Sequence, residues 1–312
     1  MSDRLDAHEK PPKVLQDVYK FYQKVDVRRI PSTISSYIHC DGGAAKHEAA
    51  HNTSTLLKTG GLFIYPSLLP QQAQITLLEK LLHRDLSTFE HQTNVHLHHH
   101  IPELSKQNDE SSASYFDRSS SKLEFVPKDP LVHKPFSTQQ FLNKKLRWMT
   151  LGGQYDWTAK AYPSGPPPPF PPDIKHFVEG IFPMKAEAAI VNLYSPGNTL
   201  SLHRDVSEEC DRPLVSISLG CDAIFVVGTT NGESDDQSEV AALRLKSGDA
   251  VLMSQGSRYA WHGVPRVLKD TCPEWLRAWP CEKNADHSSI YEHWRDWMSE
   301  KRVNINIRQM FE

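Results

Sequence analysis

The periodicity of the chain changes about half-way along. Residues 12–30, PKVLQDVYKFYQKVDVRRI, place Val14, Val18 and Phe21 at helical spacing and predict a short amphipathic helix. Residues 40–58 are small and polar and read as a loop. Gly60 to Pro66, GGLFIYP, reads as a strand, and Leu69 to Leu86 as a helix with Leu77, Leu78, Leu81 and Leu82 on one face. Residues 91–122 carry no period. They hold His91, His96, His98, His99 and His100, then SKQNDESSAS, and read as a solvated, disordered-like loop insertion. A metal site is the other reading of these histidines, but no acid or cysteine stands beside them at ligand spacing.

PSGPPPPFPP (residues 163–172) excludes a helix or a central strand, because each proline removes a backbone donor and fixes φ. It reads as a stiff lid or a boundary spacer. Downstream the pattern becomes short alternating runs: AEAAIVNLYS, SLHRDV, LVSISLG, AIFVVG, AALRLKSG, AVLMSQG and RVNINIRQ. Each is bounded by Gly, Pro, Asn or Asp, which predicts a β-sandwich or barrel. The expected fold is mainly β with flanking helices, a double-stranded β-helix (jelly roll) core. The expected organisation is an N-terminal helical extension over residues 1–150 and the β domain over 151–312.

Composition narrows the class. Of 312 residues, 38% are hydrophobic and 23% charged, as in ordinary soluble domains. A net charge of −3 gives no global basic footprint, so any contact with nucleic acid must come from local patches. The five cysteines are odd in number and none forms a C-x-x-C pair, which argues against a disulfide framework or a thiolate zinc site. Reduced thiols place the expected location inside the cell, in nucleus, cytoplasm or mitochondrion. No apolar run reaches the roughly 20 residues that span a bilayer, and the polar N-terminus carries no evident secretory or transit signal.

The candidate chemistry begins at His203-Arg204-Asp205. In a strand, positions i and i+2 face the same way, so an imidazole and a carboxylate can meet one ion. A histidine from a distant strand would complete a facial triad with open positions, the pattern of non-haem Fe(II) oxygenases. His262, in SRYAWHGVPRV, ends a strand-like run and is the candidate. The chain carries an internal control, an identical His83-Arg84-Asp85. That copy sits in the leucine-rich helical pattern, where i and i+2 diverge by roughly 200°, and it reads as surface or cap chemistry. A kinase reading of either copy lacks the expected Asn, the glycine-rich loop and a D-F-G. Taken alone, the triplet favours a hydrogen-bonded surface pair of His203 and Asp205.

The strand at the C-terminus shifts that balance. Arg302, Asn304, Asn306 and Arg308 alternate with Val303, Ile305 and Ile307. One reading is an amphipathic strand with a solvated polar face. The other is a clamp for a small dicarboxylate, since arginine's planar fork matches carboxylate geometry. Asn192 and Tyr194 share a strand face just upstream of the metal triplet and could donate further hydrogen bonds. For a substrate, Lys144, Lys145 and Arg147 lie beside Trp148, with Tyr155 and Trp157 nearby. Basic residues with aromatics suit a phosphate backbone and an unstacked base, although a basic helix end followed by core aromatics reads equally well.

Assembled, N-L-Y-S-P-G-N-T-L-S-L-H-R-D (192–205), S-G-D-A-V-L-M (247–253), S-R-Y-A-W-H-G-V-P-R-V (257–267) and R-V-N-I-N-I-R-Q (302–309) resemble the AlkB family of Fe(II)/2-oxoglutarate dioxygenases. L-G-G-Q-Y-D-W-T-A-K-A-Y (151–162) and P-M-K-A-E-A-A-I-V-N (183–192) resemble its eukaryotic first-homologue subgroup. The resemblance implies that His203, Asp205 and His262 bind iron, and that Asn192, Tyr194, Arg302, Asn304 and Arg308 bind 2-oxoglutarate. It implies O2 as the other cosubstrate. It also implies oxidative demethylation of methylated bases in DNA or tRNA, releasing succinate, CO2 and formaldehyde. Trp157, Tyr155, Lys144 and Lys145 are the candidate substrate contacts. AlkB has an acidic pair after the metal aspartate that helps read the base; Val206-Ser207-Glu208-Glu209 differs. A protein substrate such as a histone is the alternative, and a non-catalytic binding protein is a third reading. A monomer is expected.

Overall fold

A computed structural model describes residues 5–6, 8–30, 35–41, 44–49, 60–104, 114–159, 161–163, 165–230, 238–281 and 290–311. Fourteen strands are described: β1 (Ser35–Asp41), β2 (Ala44–Ala49), β3 (Leu62–Tyr65), β4 (Glu124–Phe125), β5 (Phe136–Ser137), β6 (Trp148–Gly152), β7 (Ala188–Tyr194), β8 (Leu200–His203), β9 (Leu214–Gly220), β10 (Ala223–Thr230), β11 (Ser238–Leu245), β12 (Ala250–Met253), β13 (Trp261–Val267) and β14 (Arg302–Arg308). One six-stranded sheet runs β2-β1-β11-β10-β13-β8 and the other β3-β12-β9-β14-β7-β6, with every neighbouring pair antiparallel. This is the expected jelly-roll core.

Alternation explains why these runs become strands. On β14 and β9, Val303, Ile305, Ile307, Val215, Ile217 and Leu219 are buried in the main core. That core continues into Leu78, Leu81, Phe116, Phe141 and Met149 from the first half of the chain. The opposite face of β14 is also buried at Arg302, Asn304 and Arg308, so the reading of a solvated polar face does not hold. One face meets the core and the other turns towards the first sheet, while β9 and β7 pair along the two edges of β14.

The boundary expected at residue 150 falls inside β6, and β3 from the first half also pairs into the second sheet. The two halves therefore share their sheets. The loop expected over 40–58 is partly strand: Cys40 and Asp41 end β1, and 44–49 form β2, which pairs only at the sheet edge. The remainder of that loop lies outside the described residues.

Helix α1 (Lys13–Lys24) forms where expected, but its inner face is Leu15, Val18, Tyr19 and Tyr22, while Phe21 is 49% exposed. Leu15, Val18 and Tyr22 pack on Ile224, Val226, Val240 and Trp261, the outer face of the first sheet. Helix α2 (Gln71–Glu79) runs on into a wider turn over Lys80–Arg84, which keeps Leu77, Leu78, Leu81 and Leu82 inside as predicted. The proline run leads into the helix Pro172–Glu179, where Pro172 occupies the first turn that needs no backbone donor.

Two readings are corrected. The histidine-rich stretch is structured over 91–104 and again from 114 to 122, while 105–113 lies outside the described residues. His91 Nδ1 meets the Asp85 carbonyl at 3.0 Å, His96 closes a capping box with Thr93, and His99 Nε2 meets the Lys134 carbonyl at 3.1 Å. These rings hydrogen-bond to the backbone instead of standing in solvent. His83, expected at the surface, is sandwiched between Tyr291 at 4.6 Å and Trp279 at 5.1 Å, with Nδ1 at 2.7 Å from Ser114 Oγ. Asp85 is buried against Arg84, Oδ1 to Nε 2.6 Å.

Burial pushes the His83 imidazole down from its ordinary 6.5 to about 4. The unfolded chain binds that proton below about 6.5 and the folded chain only below about 4. Its contribution is therefore present above that window and lost as pH falls through it. The melting temperature is expected to drop between pH 6.5 and 4, with at most about 3 kcal/mol from this group. In His83→Phe the drop should be shallower; an equal slope by calorimetry would reject the assignment.

Candidate metal centre

The first sheet supplies two histidines because β8 and β13 are neighbours and His203 stands directly opposite His262 in register. Their ring centroids are 4.4 Å apart. A register shift follows between His262 and Val264. Asp205 lies just past the end of β8. One ligand atom from each of His203, Asp205 and His262 can be chosen so that all lie within 4.8 Å of one another. His203 Nε2 is 3.7 Å from Asp205 Oδ1, and His262 Nε2 is 3.8 Å from Asp205 Oδ2. Among the described residues this is the one such group of three.

The other ring nitrogens fix the tautomers. His203 Nδ1 lies 2.9 Å from the Ser201 carbonyl and His262 Nδ1 lies 3.0 Å from that of Ala260. A carbonyl only accepts, so each Nδ1 carries the hydrogen and each Nε2 keeps its lone pair for a cation. Burial and the neighbouring His203 push His262 down to about 4, so it is neutral at physiological pH. For Asp205, burial pushes the carboxyl up, but the Arg308 guanidinium, with the two imidazoles once they are protonated at low pH, outweighs it and holds the group well below the ordinary carboxylate range. Two imidazole nitrogens and one carboxylate form the donor set suited to Fe(II) with open positions.

The second sheet supplies the opposite wall. Arg302 stands in register with Tyr194 and Asn304 with Asn192, which puts all four on one face of β14 and β7. A single cavity between the sheets is lined by Asp205 and His262 on one side and by Ser216, Arg302 and Asn304 on the other. Arg302 Nη1 donates to the Cys221 carbonyl at 3.2 Å and Nη2 to Ser218 Oγ at 2.7 Å. Asn304 Nδ2 donates to Ser216 Oγ at 2.9 Å and to the Ile217 carbonyl at 3.0 Å. Arg302 Nε, Tyr194 Oη and Arg308 Nη1 are buried with no hydrogen-bond partner. An unmet buried donor costs about 1–3 kcal/mol, so these atoms suit a dicarboxylate.

The two arginines are not equivalent. Arg308 Nη2 donates to Asp205 Oδ2 at 2.8 Å, and its Nε pairs with Glu208 Oε1 at 2.9 Å. Arg308 thus stands at the metal end, with Arg302 towards the other. Glu208 also accepts from Arg258 Nη2 at 3.0 Å, and Arg258 Nη1 holds the Asp205 carbonyl at 2.9 Å. This buried network pins the segment after β8. Sequence reasoning missed Glu208 and Arg258, which no local spacing connects. It also missed Ser216 and Ser218, whose alternation in LVSISLG was a usable signal. Glu208→Gln leaves two buried guanidinium groups short of charge and is expected to lower stability by about 3–5 kcal/mol, read from the denaturant midpoint.

Of the candidate substrate contacts, Tyr155 comes nearest to the triad: its hydroxyl is 3.4 Å from Ser207 Oγ. Trp157 packs against Tyr155 at 4.3 Å and against Trp148 at 4.5 Å. Lys144 and Lys145 are exposed on the turn Phe141–Lys145 and do not line the cavity.

Comparison with known proteins supplies the context. Residues 94–308 match the model of the 2OG-Fe(II) oxygenase superfamily. The chain is 42% identical to the N6-methyladenosine RNA demethylase ALKB1 of Pyricularia oryzae, over 99% of this chain and 98% of that one. It is 48% identical to the N6-methyladenosine RNA demethylase ALKBH of Cryphonectria parasitica, over 69% of this chain and 99% of the relative. It is 38% identical to the tRNA demethylase abh1 of Schizosaccharomyces pombe, over 81% and 80% of the two chains.

Proposed function

We propose, from the premise that this chain belongs to the 2OG-Fe(II) oxygenase superfamily and within it to the first AlkB homologue group, that it oxidatively demethylates methylated bases in nucleic acid, with His203, Asp205 and His262 as its iron ligands. The observation that supports the site assignment is one cavity lined by Asp205 and His262 of the His-Asp-His group on one side and by Arg302, whose Nε has no partner, on the other. The activities in the names of these relatives, on RNA and tRNA, support nucleic acid as substrate.

Bound Fe(II), with 2-oxoglutarate and O2, supplies the oxidation of a substrate C–H bond, releasing succinate and CO2; an N-methyl group leaves as formaldehyde. The protein's own residues hold and orient the reactants. Arg302, with Tyr194 Oη and Asn192 beside it, receives the far carboxylate of 2-oxoglutarate. Asn304 braces that wall through Ser216. Arg308 holds Asp205 in position and offers its unpartnered Nη1 to the near end. Tyr155 and Trp157 receive the base beside Ser207, and Lys144 and Lys145 contact phosphates outside. Glu208 is held by two arginines, so the base meets the Tyr155 and Ser207 hydroxyls where AlkB presents an acidic pair.

We further propose that the protein acts as a monomer in the nucleus, cytoplasm or mitochondrion, with base repair as the outcome on DNA. Among the described residues no helix is long and apolar enough to cross a membrane. The test is mass spectrometry of digested methylated RNA, tRNA and DNA incubated with and without iron and 2-oxoglutarate. Loss of the methyl mark only in the complete reaction is expected. Succinate release with histone peptides, and none with any oligonucleotide, overturns the substrate in favour of protein.

A further inference from the structure

The histidine-rich stretch has no part in the reading above, yet it is tied to the basic residues downstream. Lys128 Nζ donates to the His96 carbonyl at 2.6 Å, and the Lys128 amide to that of His98 at 2.8 Å. The His98 and His133 rings lie 4.5 Å apart, and His99 Nε2 holds the Lys134 carbonyl. Asn94 Nδ2 donates to the Lys145 carbonyl at 2.8 Å while its Oδ1 accepts from the Arg147 amide at 2.8 Å. Segments 92–100, 126–134 and 144–148 are therefore joined in one surface unit.

Its charge is one-sided. Residues 91–100 contain no acid, and residues 126–150 contain one, Asp129. Lys128, Lys134, Lys144, Lys145 and Arg147 are all exposed, as are His98 and His100. Some other exposed cations have acidic partners, as in Lys13–Asp17, Arg28–Asp26, Lys175–Glu179 and Lys269–Glu300. Among the described residues none of these five forms such a pair. In a chain of net charge −3 this is a local positive field facing solvent.

The unit also leads to the reaction centre. Thr93 bridges to Met149 on β6, and Arg147 donates to Asn198 in the turn before β8. Trp148, Trp157 and Tyr155 follow in contact, ending at Ser207 beside the triad. Cations along a backbone and stacked aromatics towards a pocket are the parts needed to hold a strand and turn one base inward.

We infer that the histidine-rich stretch and Lys128 and Lys134 extend the substrate site outward as a track for the phosphate backbone of a single-stranded nucleic acid. The inference rests on the nucleic-acid reading above. Its role is to carry affinity, with the aromatic line and the metal centre carrying the chemistry. Each lysine that neutralises a phosphate of a single strand adds about 0.7 to the slope of log affinity against log salt.

The test is fluorescence anisotropy of an unmethylated single-stranded RNA oligonucleotide bound to the full chain across a salt series. Lys128→Gln/Lys134→Gln is expected to weaken binding roughly tenfold near 0.15 M salt and to lower the slope by about 1.4. The Arg/Arg variant at the same positions should restore both, and Lys20→Gln on α1 should change neither. Wild-type affinity and slope in the double Gln variant overturn the track, as does an equal loss in Lys20→Gln. Demethylation by the wild-type protein, scored separately, distinguishes this failure from failure of the substrate reading. A wild-type protein that demethylates oligonucleotides while the double variant binds normally sinks the track alone. A protein that binds along the track but never demethylates sinks only the substrate reading.

Discussion

Asp205→Ala abolishes Fe(II) binding and with it 2-oxoglutarate turnover, whereas Asp85→Ala leaves both in place. The two aspartates close identical His-Arg-Asp triplets, so composition cannot separate them. Geometry does. Asp205 lies within 4 Å of two imidazoles with outward lone pairs, at 3.7 and 3.8 Å. Asp85 pairs with its neighbour Arg84, while His83 turns away into an aromatic stack. Losing one of the three proposed ligands removes the only carboxylate of the set. Turnover should fall below about a thousandth of wild type, the effect of some 4 kcal/mol on the reaction. Asp85→Ala should cost about 1–3 kcal/mol of stability through a lost buried hydrogen-bonded group, with iron affinity unchanged. Anaerobic Fe(II) titration and succinate release measure the contrast; equal losses from both changes would falsify the assignment.

The second large effect concerns Arg302. Its guanidinium is fully buried, and burial lowers its pKa; Asp222 and Asp249 act on it only as neighbouring charges. Arg302→Met removes a desolvated cation and fills the space with an apolar chain, so the ligand-free protein should be no less stable than wild type. The same change removes a charge-assisted clamp worth about 3 kcal/mol, so the KM for 2-oxoglutarate should rise about 100-fold. Saturating 2-oxoglutarate should raise the melting temperature of wild type and leave that of Arg302→Met unmoved, because ligand that binds only the folded state stabilises it. A normal KM in Arg302→Met rejects the clamp.

The core of the fold was legible because a strand's period is two. AIVNLY, VSISL and VNINI each announce a face, and in the structure each has it. His203 and Asp205 were legible for the same reason, since i and i+2 share a side. His262 could be proposed only as the end of a strand-like run; its position opposite His203 follows from the pairing of β13 with β8. What local pattern could not supply was contact between sheets. Arg308 pairs with Asp205 across 103 residues and Arg258 with Glu208 across 50. Neither partner marks the other along the chain. The same limit explains α1, where Phe21 sits at good helical spacing but Tyr19 and Tyr22 have the sheet to pack on. Tyr19 Oη reaches the Leu200 carbonyl on β8 at 3.0 Å, a contact 181 residues away. The histidine run misled for a related reason: polar side chains look solvated until the carbonyls they serve are known.

The account stands or falls on coupled product release from a methylated oligonucleotide. Wild-type protein with Fe(II), 2-oxoglutarate and O2 should release formaldehyde and succinate together as the methyl mark disappears. Omitting any one of the three, or changing Asp205, should stop all of it. A folded protein that binds Fe(II) but removes no methyl group from RNA, tRNA or DNA would contradict it.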